Sequence, residues 1–111
     1  MYDFNYQRAT TVADASAKVK ASDDGMLMAG GMTLIPTLKQ RLAQPADVID
    51  LGGVSDLVGI SVDGEIVTIG AMTTHATVAA STEVRSKIPA LAELADGIGD
   101  PQVRNRGTIG G

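Results

Sequence analysis

Residues 26–42, MLMAGGMTLIPTLKQRL, join a short apolar run to a helical pattern through two adjacent glycines. The run MLMA is too short for a helix, so we predict a buried strand there. Leu34, Leu38 and Leu42 then recur every fourth residue, which predicts an amphipathic helix with Thr33 as its N-cap. Because glycine weakens the interior of either element, a pair at the junction indicates an unusual backbone conformation or a close approach to bare backbone.

The first 53 residues predict alternating strands and helices. FNYQRA at residues 4–9 is a candidate edge strand, and ADVIDLGG at residues 46–53 is typical of a short buried strand ending in a turn. Between them, Thr11 precedes Asp14 by three residues, the spacing of a capping box, and predicts a helix ending near Ser22. The order β-α-β-α-β favours short parallel strands covered by helices.

The second half predicts antiparallel pairing instead. Two runs of period 2 flank Asp63-Gly64, a dipeptide that favours a type I′ hairpin turn. Residues 74–81 predict a short helix, and residues 88–99 a second one that has Leu91, Leu94, Ala95 and Ile98 on one face and stops at Gly97. Residues 100–111 show no helical or strand period and predict an irregular tail. We therefore predict an α+β fold with two parts, residues 1–54 and 55–111.

Composition excludes several classes of function. The chain of 111 residues is 44% hydrophobic and 20% charged, with no apolar run of membrane-spanning length and no leader pattern, so we expect a soluble, cytoplasmic chain. A net charge of -4 argues against nucleic-acid binding. The chain has no cysteine, which excludes disulfides and Cys-held iron–sulfur clusters within it. A redox group would have to be an organic cofactor or belong to a partner.

The junction of strand, Gly30-Gly31 and helix is a layout in which free backbone N–H groups face an anion. A tight turn without a ligand is the alternative, and the pattern matches neither a Walker A loop nor a dinucleotide fingerprint. His75, the only histidine, and the pair Arg104 and Arg106 are further candidates, each of which also fits a structural or solvated role. No metal-ligand spacing and no catalytic set is visible, so we assign no catalytic or metal-binding residue.

Three motifs together resemble one family: AGGMTLIPTLKQRL at residues 29–42, IGAMTTHATV at residues 69–78 and IGDPQVRNRGTIGG at residues 98–111. Their order and spacing are similar to those of the FAD-binding, or medium, subunit of molybdenum hydroxylases of the carbon monoxide dehydrogenase and xanthine dehydrogenase type. The similarity runs from about Asp3 to Gly111. It implies a PCMH-type FAD-binding domain, resembling the vanillyl-alcohol-oxidase superfamily, in which residues 1–54 and 55–111 belong to two FAD-binding subdomains.

The resemblance also implies a set of cofactor-binding residues. In this family, one glycine loop before a helix and a second TIGG loop wrap the FAD, chiefly at its pyrophosphate and ribityl region. The matching residues are Ala29, Gly30, Gly31, Met32, Thr33 and Leu34 in the first loop, and Thr108, Ile109, Gly110 and Gly111 in the second. Relatives often carry a polar residue where this chain has Met32, so we assign that position a backbone role.

The function implied by the resemblance is electron transfer. FAD would accept electrons from an iron–sulfur small subunit and pass them to an external acceptor, while the molybdenum cofactor and [2Fe-2S] clusters would lie only in partner subunits, the large and the small one. A non-catalytic assembly module of the same fold, or a nucleotide-phosphate binder using the first loop only, are the alternatives. Family subunits continue past TIGG, so we expect the chain to be truncated, and to be inactive and bind FAD weakly by itself.

Overall fold

The computed structural model describes residues 1–111 and separates into two units, Met1–Asp56 (unit 1) and Leu57–Gly111 (unit 2). Strands and helices are both present, so the expected mixed α+β fold is confirmed. A single turn of 3-10 helix, Ser55–Leu57, connects the units along the chain. No helix combines the length and apolar character needed to cross a membrane.

Unit 1 is a three-stranded parallel sheet with two helices. Its elements are β1 (Asn5–Arg8), α1 (Val12–Ala21), β2 (Gly25–Met28), α2 (Leu34–Lys39) and β3 (Asp47–Asp50), in the predicted order. The strand order is β1-β3-β2, and both pairings with β3 are parallel. Because β3 is central, its apolar residues Val48 and Ile49 are fully buried. The edge position predicted for the first strand is confirmed.

Helix α1 begins and ends where its capping residues predict. The Thr11 side chain accepts a hydrogen bond from the Asp14 N–H at 3.0 Å, and the helix ends at Ala21 with Ser22 as its C-cap. The Asp14 carboxylate in turn accepts from the N–H of Thr10, one residue before the cap. A hydrogen bond from Lys18, one turn later, is the main cause that lowers the pKa of Asp14. These local contacts fix the start of α1 independently of the rest of the fold.

Two expectations for residues 26–42 are wrong. Strand β2 is not buried, because it lies at the sheet edge and Leu27 is 48% exposed. Helix α2 ends at Lys39, and Arg41 follows with a positive φ of 58°, so Leu42 lies outside the helix and is 73% exposed. Thr33 does occupy the N-cap position, but its side chain makes no capping hydrogen bond. The i, i+4 leucine spacing therefore overestimates the length of the helix, which ends at Lys39.

Unit 2 packs four helices and a hairpin around a small apolar core. The hairpin is β4 (Ile60–Asp63) and β5 (Ile66–Ile69), and the helices are α3 (His75–Ala80), α4 (Thr82–Lys87), α5 (Pro89–Asp96) and α6 (Pro101–Arg106). The buried core residues all come from helices: Val78, Ala79, Val84, Ala92 and Ala95. Ile60, Val67, Ile69 and Leu91 pack against them. The hairpin thus contributes one apolar face to a helical core.

The hairpin turn differs from the prediction by one residue. Asp63 pairs with Ile66, so the two central residues are Gly64 and Glu65 rather than Asp63 and Gly64. Only Gly64 of this pair has a positive φ, at 60°. A glycine at the first central position is the requirement of a type II′ turn, whereas type I′ needs a positive φ at both. The antiparallel pairing itself is confirmed.

Two helices of unit 2 were not predicted. Helix α4 is short and polar, and Ser81 caps it by accepting from the Val84 N–H. Helix α6 lies within the expected irregular tail, where the Asp100 side chain accepts from the Val103 N–H at 2.8 Å. In α5 the buried face contains Ala92 and Ala95, while Leu94 is exposed. The stop at Gly97 is confirmed.

Candidate functional site

The first glycine loop, residues 29–34, follows β2, and its last residue, Leu34, begins α2. All three strands of the sheet are parallel, and Arg8, Asp50 and Met28 are paired residues at their carboxyl ends. The loop and the turn that follows β3 therefore both lie at the carboxyl ends of the parallel strands. The Leu51 N–H donates to the Met28 carbonyl at 2.9 Å and holds this turn beside the start of the loop.

The first loop uses its carbonyl groups and leaves its amide groups free. The Gly31 carbonyl accepts from the Ile35 N–H at 2.9 Å, and the Thr33 carbonyl accepts from the N–H and hydroxyl of Thr37. The N–H groups of residues 30–33 have no acceptor within the chain. Met32 and Thr33 are exposed, so part of this set faces solvent. Consecutive free amides in a tight loop form a concavity that favours anions.

Gly31 has the backbone conformation that the glycine pair indicates. Its φ is +78°, a region that L residues rarely adopt. A Cβ at Gly31 would also lie 2.7 Å from Cδ1 of Ile35 and 3.5 Å from the Met28 sulfur. The positive φ of the turn is therefore the main reason for a glycine here, since the Ile35 side chain is exposed and could shift to admit a Cβ. In the resulting loop conformation, Gly31 is buried and Gly30 is half-buried, while Met32 and Thr33 are exposed.

The neighbouring turn after β3 is held by Asp50. One Asp50 oxygen accepts from the Gly52 N–H at 2.8 Å, and the other accepts from the Tyr6 hydroxyl. This hydrogen bond to Asp50 is the main cause that raises the pKa of Tyr6. Both carboxylate oxygens of Asp50 therefore already have a donor. Beside them, the Arg8 side chain lies against Gly53, where a Cβ would be 2.9 Å from Nε of Arg8.

The second glycine loop, residues 108–111, is bonded to the segment 71–75 within unit 2. The Ile109 N–H donates to the Thr73 carbonyl at 3.0 Å, and the Gly110 N–H donates to the Ala71 carbonyl at 2.8 Å. The Gly111 N–H donates back to the Thr108 carbonyl at 3.2 Å. Three consecutive amides of this loop are therefore occupied. The segment 71–75 is itself fixed by the buried Thr73 hydroxyl, which bonds both the N–H and the carbonyl of Gly59.

Two residues of the second loop are constrained by packing. A Cβ at Gly110 would lie 2.6 Å from the Ala71 Cβ and 2.8 Å from the Ala71 carbonyl oxygen, so only glycine fits against this backbone. Thr108 is buried, and its side-chain oxygen has no hydrogen-bond partner within the chain. An orphaned buried hydroxyl is uncommon in folded proteins. On the other side of the loop, Ile109, Gly110 and Gly111 are exposed.

His75 and Arg104, two further candidates from the sequence, make contacts that stabilise the fold. His75 begins α3 and donates its N–H to the Gly107 carbonyl at 3.0 Å, and its ring packs against Gly107. Arg104 donates to the carbonyls of Ile98 and Gly99, just beyond the end of α5. No cluster of three or more His, Asp or Glu side chains is arranged to hold a metal ion.

The contribution of segment 71–75 was not predicted. The IGAMTTHATV motif carried part of the resemblance but no assigned role, and the structure shows that it holds the second loop. No local signal in the sequence could reveal this, because the bonded residues lie more than thirty positions apart. The first loop lies in unit 1, and the second loop, with the segment 71–75 that bonds to it, lies in unit 2.

Comparison with known proteins assigns the chain to a class. Residues 2–111 match the family described as "FAD binding domain in molybdopterin dehydrogenase". The chain therefore belongs to this family of FAD-binding domains, which confirms FAD as the expected cofactor. The match covers nearly the whole chain and so includes both glycine loops.

The chain is also similar to individual proteins of known class. The carbon monoxide dehydrogenase medium chain of Hydrogenophaga pseudoflava is 45% identical over 109 residues, which cover 97% of this chain and 38% of the relative. The xanthine dehydrogenase FAD-binding subunit of Escherichia coli O157:H7 is 32% identical, over 100% of this chain and 39% of the relative. The chain thus spans well under half the length of these curated relatives.

Solved structures agree with the sequence matches. A structure of carbon monoxide dehydrogenase from Hydrogenophaga pseudoflava superposes with a TM-score of 0.94 at 45% identity, covering 97% of this chain and 38% of that chain. Quinoline 2-oxidoreductase from Pseudomonas putida 86 gives a TM-score of 0.93 at 32% identity, covering 97% of this chain and 38% of that chain. The family match and the superpositions therefore agree on the fold and the family.

The residues present fit an FAD pyrophosphate at the first loop. Gly31 has a positive φ, and the free amides of residues 30–33 are donors for which the chain supplies no acceptor. The second loop fits less directly, since its amides are occupied and its Thr108 hydroxyl is buried. Its exposed residues 109–111 could contact the cofactor, but their backbone N–H groups are not available as donors.

Proposed function

We propose that this chain is the FAD-binding region of the flavoprotein subunit of a molybdenum hydroxylase. In this role, bound FAD supplies the capacity to accept and release electrons. It would take electrons from an iron–sulfur partner subunit and pass them to an external acceptor, and a molybdenum-cofactor subunit would act on the substrate. The family and its named relatives support this proposal. A cytoplasmic location is part of the same proposal.

The observation that carries the proposal is the set of free amides in the first loop. Backbone N–H groups bind phosphate oxygens without adding a side-chain charge, and glycines allow the oxygens to approach closely. This suits a chain whose net charge is -4. We propose that Ala29, Gly30, Gly31, Met32, Thr33 and Leu34 form this cradle, with Met32 contributing its backbone.

The second loop has a different part in the proposal. Because the amides of Ile109, Gly110 and Gly111 are already bonded, we propose that this loop contacts FAD through its exposed face. Thr108 anchors the loop, because its side chain is buried within unit 2. The role of the segment 71–75 is then to keep residues 108–111 in one conformation, so that ordering them on binding costs little entropy.

Flavin content tests the proposed function. The complete reading frame that encodes this chain is purified, and FAD is measured by absorbance and released by heat for identification. We expect one FAD per chain and a rise in thermal stability when FAD is added to flavin-free protein. Protein that folds but neither contains nor binds FAD would contradict the proposal and would favour a non-catalytic assembly module.

The difference between the loops favours one second candidate, a nucleotide-phosphate binder that uses only the first loop. Its prediction is that ADP and FAD bind equally well, because the flavin end would make no contact. Exchanging Ile109→Ala separates the two functions. If the second loop also contacts FAD, this variant weakens the binding of FAD and leaves the binding of ADP unchanged; if only the first loop binds, neither affinity changes.

A further inference from the structure

Arg8 is a cation at the carboxyl end of the parallel sheet, where the first loop also begins. It is the last residue of β1 and is paired with Asp50, which is paired in turn with Met28, the residue before Ala29. Neighbouring strands lie about 4.8 Å apart, so Arg8 and Met28 are separated by about 10 Å across the sheet. This separation is short enough for a long side chain to contribute to the same site as the loop.

The side chain of Arg8 lies beside the turn that follows the central strand. A Cβ at Gly53 would lie 2.9 Å from Nε and 3.4 Å from Cγ of Arg8. A Cβ at Gly52 would lie 3.8 Å from Nη2, the far end of the guanidinium. Both glycines leave room that a side chain would fill. The neighbouring residue, Leu51, is the one bonded to the Met28 carbonyl.

The Arg8 guanidinium has no anionic partner within the chain. The one ion pair within 4.0 Å joins Lys18 to Asp14, on α1. Asp50, the nearest carboxylate along the sheet, already accepts from the Tyr6 hydroxyl and the Gly52 N–H. The arginine side chains that donate hydrogen bonds within the chain are those of Arg85 and Arg104, so the Arg8 guanidinium donates none, and Arg8 is exposed. Its five donors are therefore available to a ligand.

We propose that Arg8 is a further cofactor-binding residue, whose guanidinium donates to a pyrophosphate oxygen of the FAD held by the first loop. This inference rests on the proposed function. Amide donors of residues 30–33 would fix the position of the pyrophosphate, and Arg8 would supply the positive charge that the loop lacks. A guanidinium suits this role because it binds phosphate through two parallel N–H groups.

Substitution of Arg8 tests the inference against a matched control. Arg8→Gln removes the charge at the loop edge, and Lys20→Gln removes one charge from the last turn of α1, just before β2 begins. FAD is titrated into flavin-free protein from the complete reading frame, at about 50 mM and about 500 mM salt. We expect Arg8→Gln to raise the Kd about tenfold at low salt, Arg8→Lys to recover part of the loss, and Lys20→Gln to change it less than about twofold.

The salt series distinguishes a charge effect from a structural one. The difference between wild type and Arg8→Gln shrinks at high salt if Arg8 pairs with phosphate, because exposed charges are screened. An equal loss at both salts, or no loss, overturns the assignment of Arg8 but leaves the proposed function standing. Wild-type protein that binds no FAD overturns the proposed function and this inference together. If Arg8→Gln does not fold, Arg8→Lys and the salt dependence of wild-type binding give the same decision.

Discussion

The two glycine loops have similar sequences but opposite hydrogen bonding. In the first loop, the N–H groups of residues 30–33 have no acceptor and Gly31 has a φ of +78°. In the second, the N–H groups of residues 109–111 all donate within unit 2, and Gly110 packs against Ala71. Glycine thus serves the conformation of a donor-rich loop in one case and tight packing on the chain's own backbone in the other.

This difference separates two reasons for a glycine that a sequence motif does not distinguish. A loop with free donors is ready for an anion, and a substitution there affects binding more than folding. A loop whose donors are occupied is part of the folded unit, and a substitution there affects stability first. Four substitutions test this division, beginning with the largest expected effect.

Gly31→Val should abolish FAD retention while leaving the chain mostly folded. A β-branched residue at positive φ costs about 2 kcal/mol and shifts the loop, and its side chain obstructs the approach of phosphate. Flavin content and a thermal melt are measured on the same preparation. Gly64→Val is the control, since Gly64 also has a positive φ but lies in the hairpin turn. A normal flavin content in Gly31→Val would contradict the assignment of the first loop as the one whose substitution affects binding first.

Gly110→Ala should lower the free energy of unfolding by about 2–3 kcal/mol, the range for overpacking against rigid neighbours. The added Cβ meets the Cβ and carbonyl oxygen of Ala71, neither of which can move as a side chain would. Urea denaturation measures the change. Gly97→Ala is the control, because its Cβ would lie 3.6 Å or more from any neighbour. Equal stability in both variants would mean that the second loop is not part of the folded unit.

Thr108→Val should raise the free energy of unfolding by about 1 kcal/mol, because it removes a buried hydroxyl that has no partner and keeps a similar shape. We expect FAD affinity to stay within about twofold of wild type, since this side chain is inaccessible. Chemical denaturation without flavin and an FAD titration measure the two quantities. A large loss of affinity would show that the hydroxyl turns toward the cofactor on binding.

Met32→Ala should have the smallest effect, a change in FAD affinity of less than about tenfold. Met32 is exposed, and the proposal assigns its backbone N–H, rather than its side chain, to the cradle. Titration of flavin-free protein gives the affinity, with Met26→Ala as a control for loss of an exposed methionine in the same unit. Complete loss of FAD would show that the Met32 side chain makes a contact of its own.

Local signals predicted the parts of this structure that depend on neighbouring residues. The cap at Thr11, the stop at Gly97 and the alternation of strands and helices in unit 1 follow from short-range geometry. Two of the errors arise where distant residues decide. Leu42 lies outside its predicted helix, and Leu27 is exposed because β2 is an edge strand. Helix α6 was missed for a local reason: its six residues carry no apolar period, and the start signal of Asp100 before Pro101 was not used.

The sequence by itself determined the family, because three motifs in fixed order resemble an FAD-binding domain and the family match covers residues 2–111. The site residues that the resemblance implies stay a prediction. The tertiary structure decided which amides remain free. Hydrogen bonds from Ile109 and Gly110 to the segment 71–75 join residues more than thirty positions apart, and no local pattern encodes that pairing. Occupied and free amides look identical in a sequence, since every residue except proline carries one N–H, and only the fold determines its acceptor.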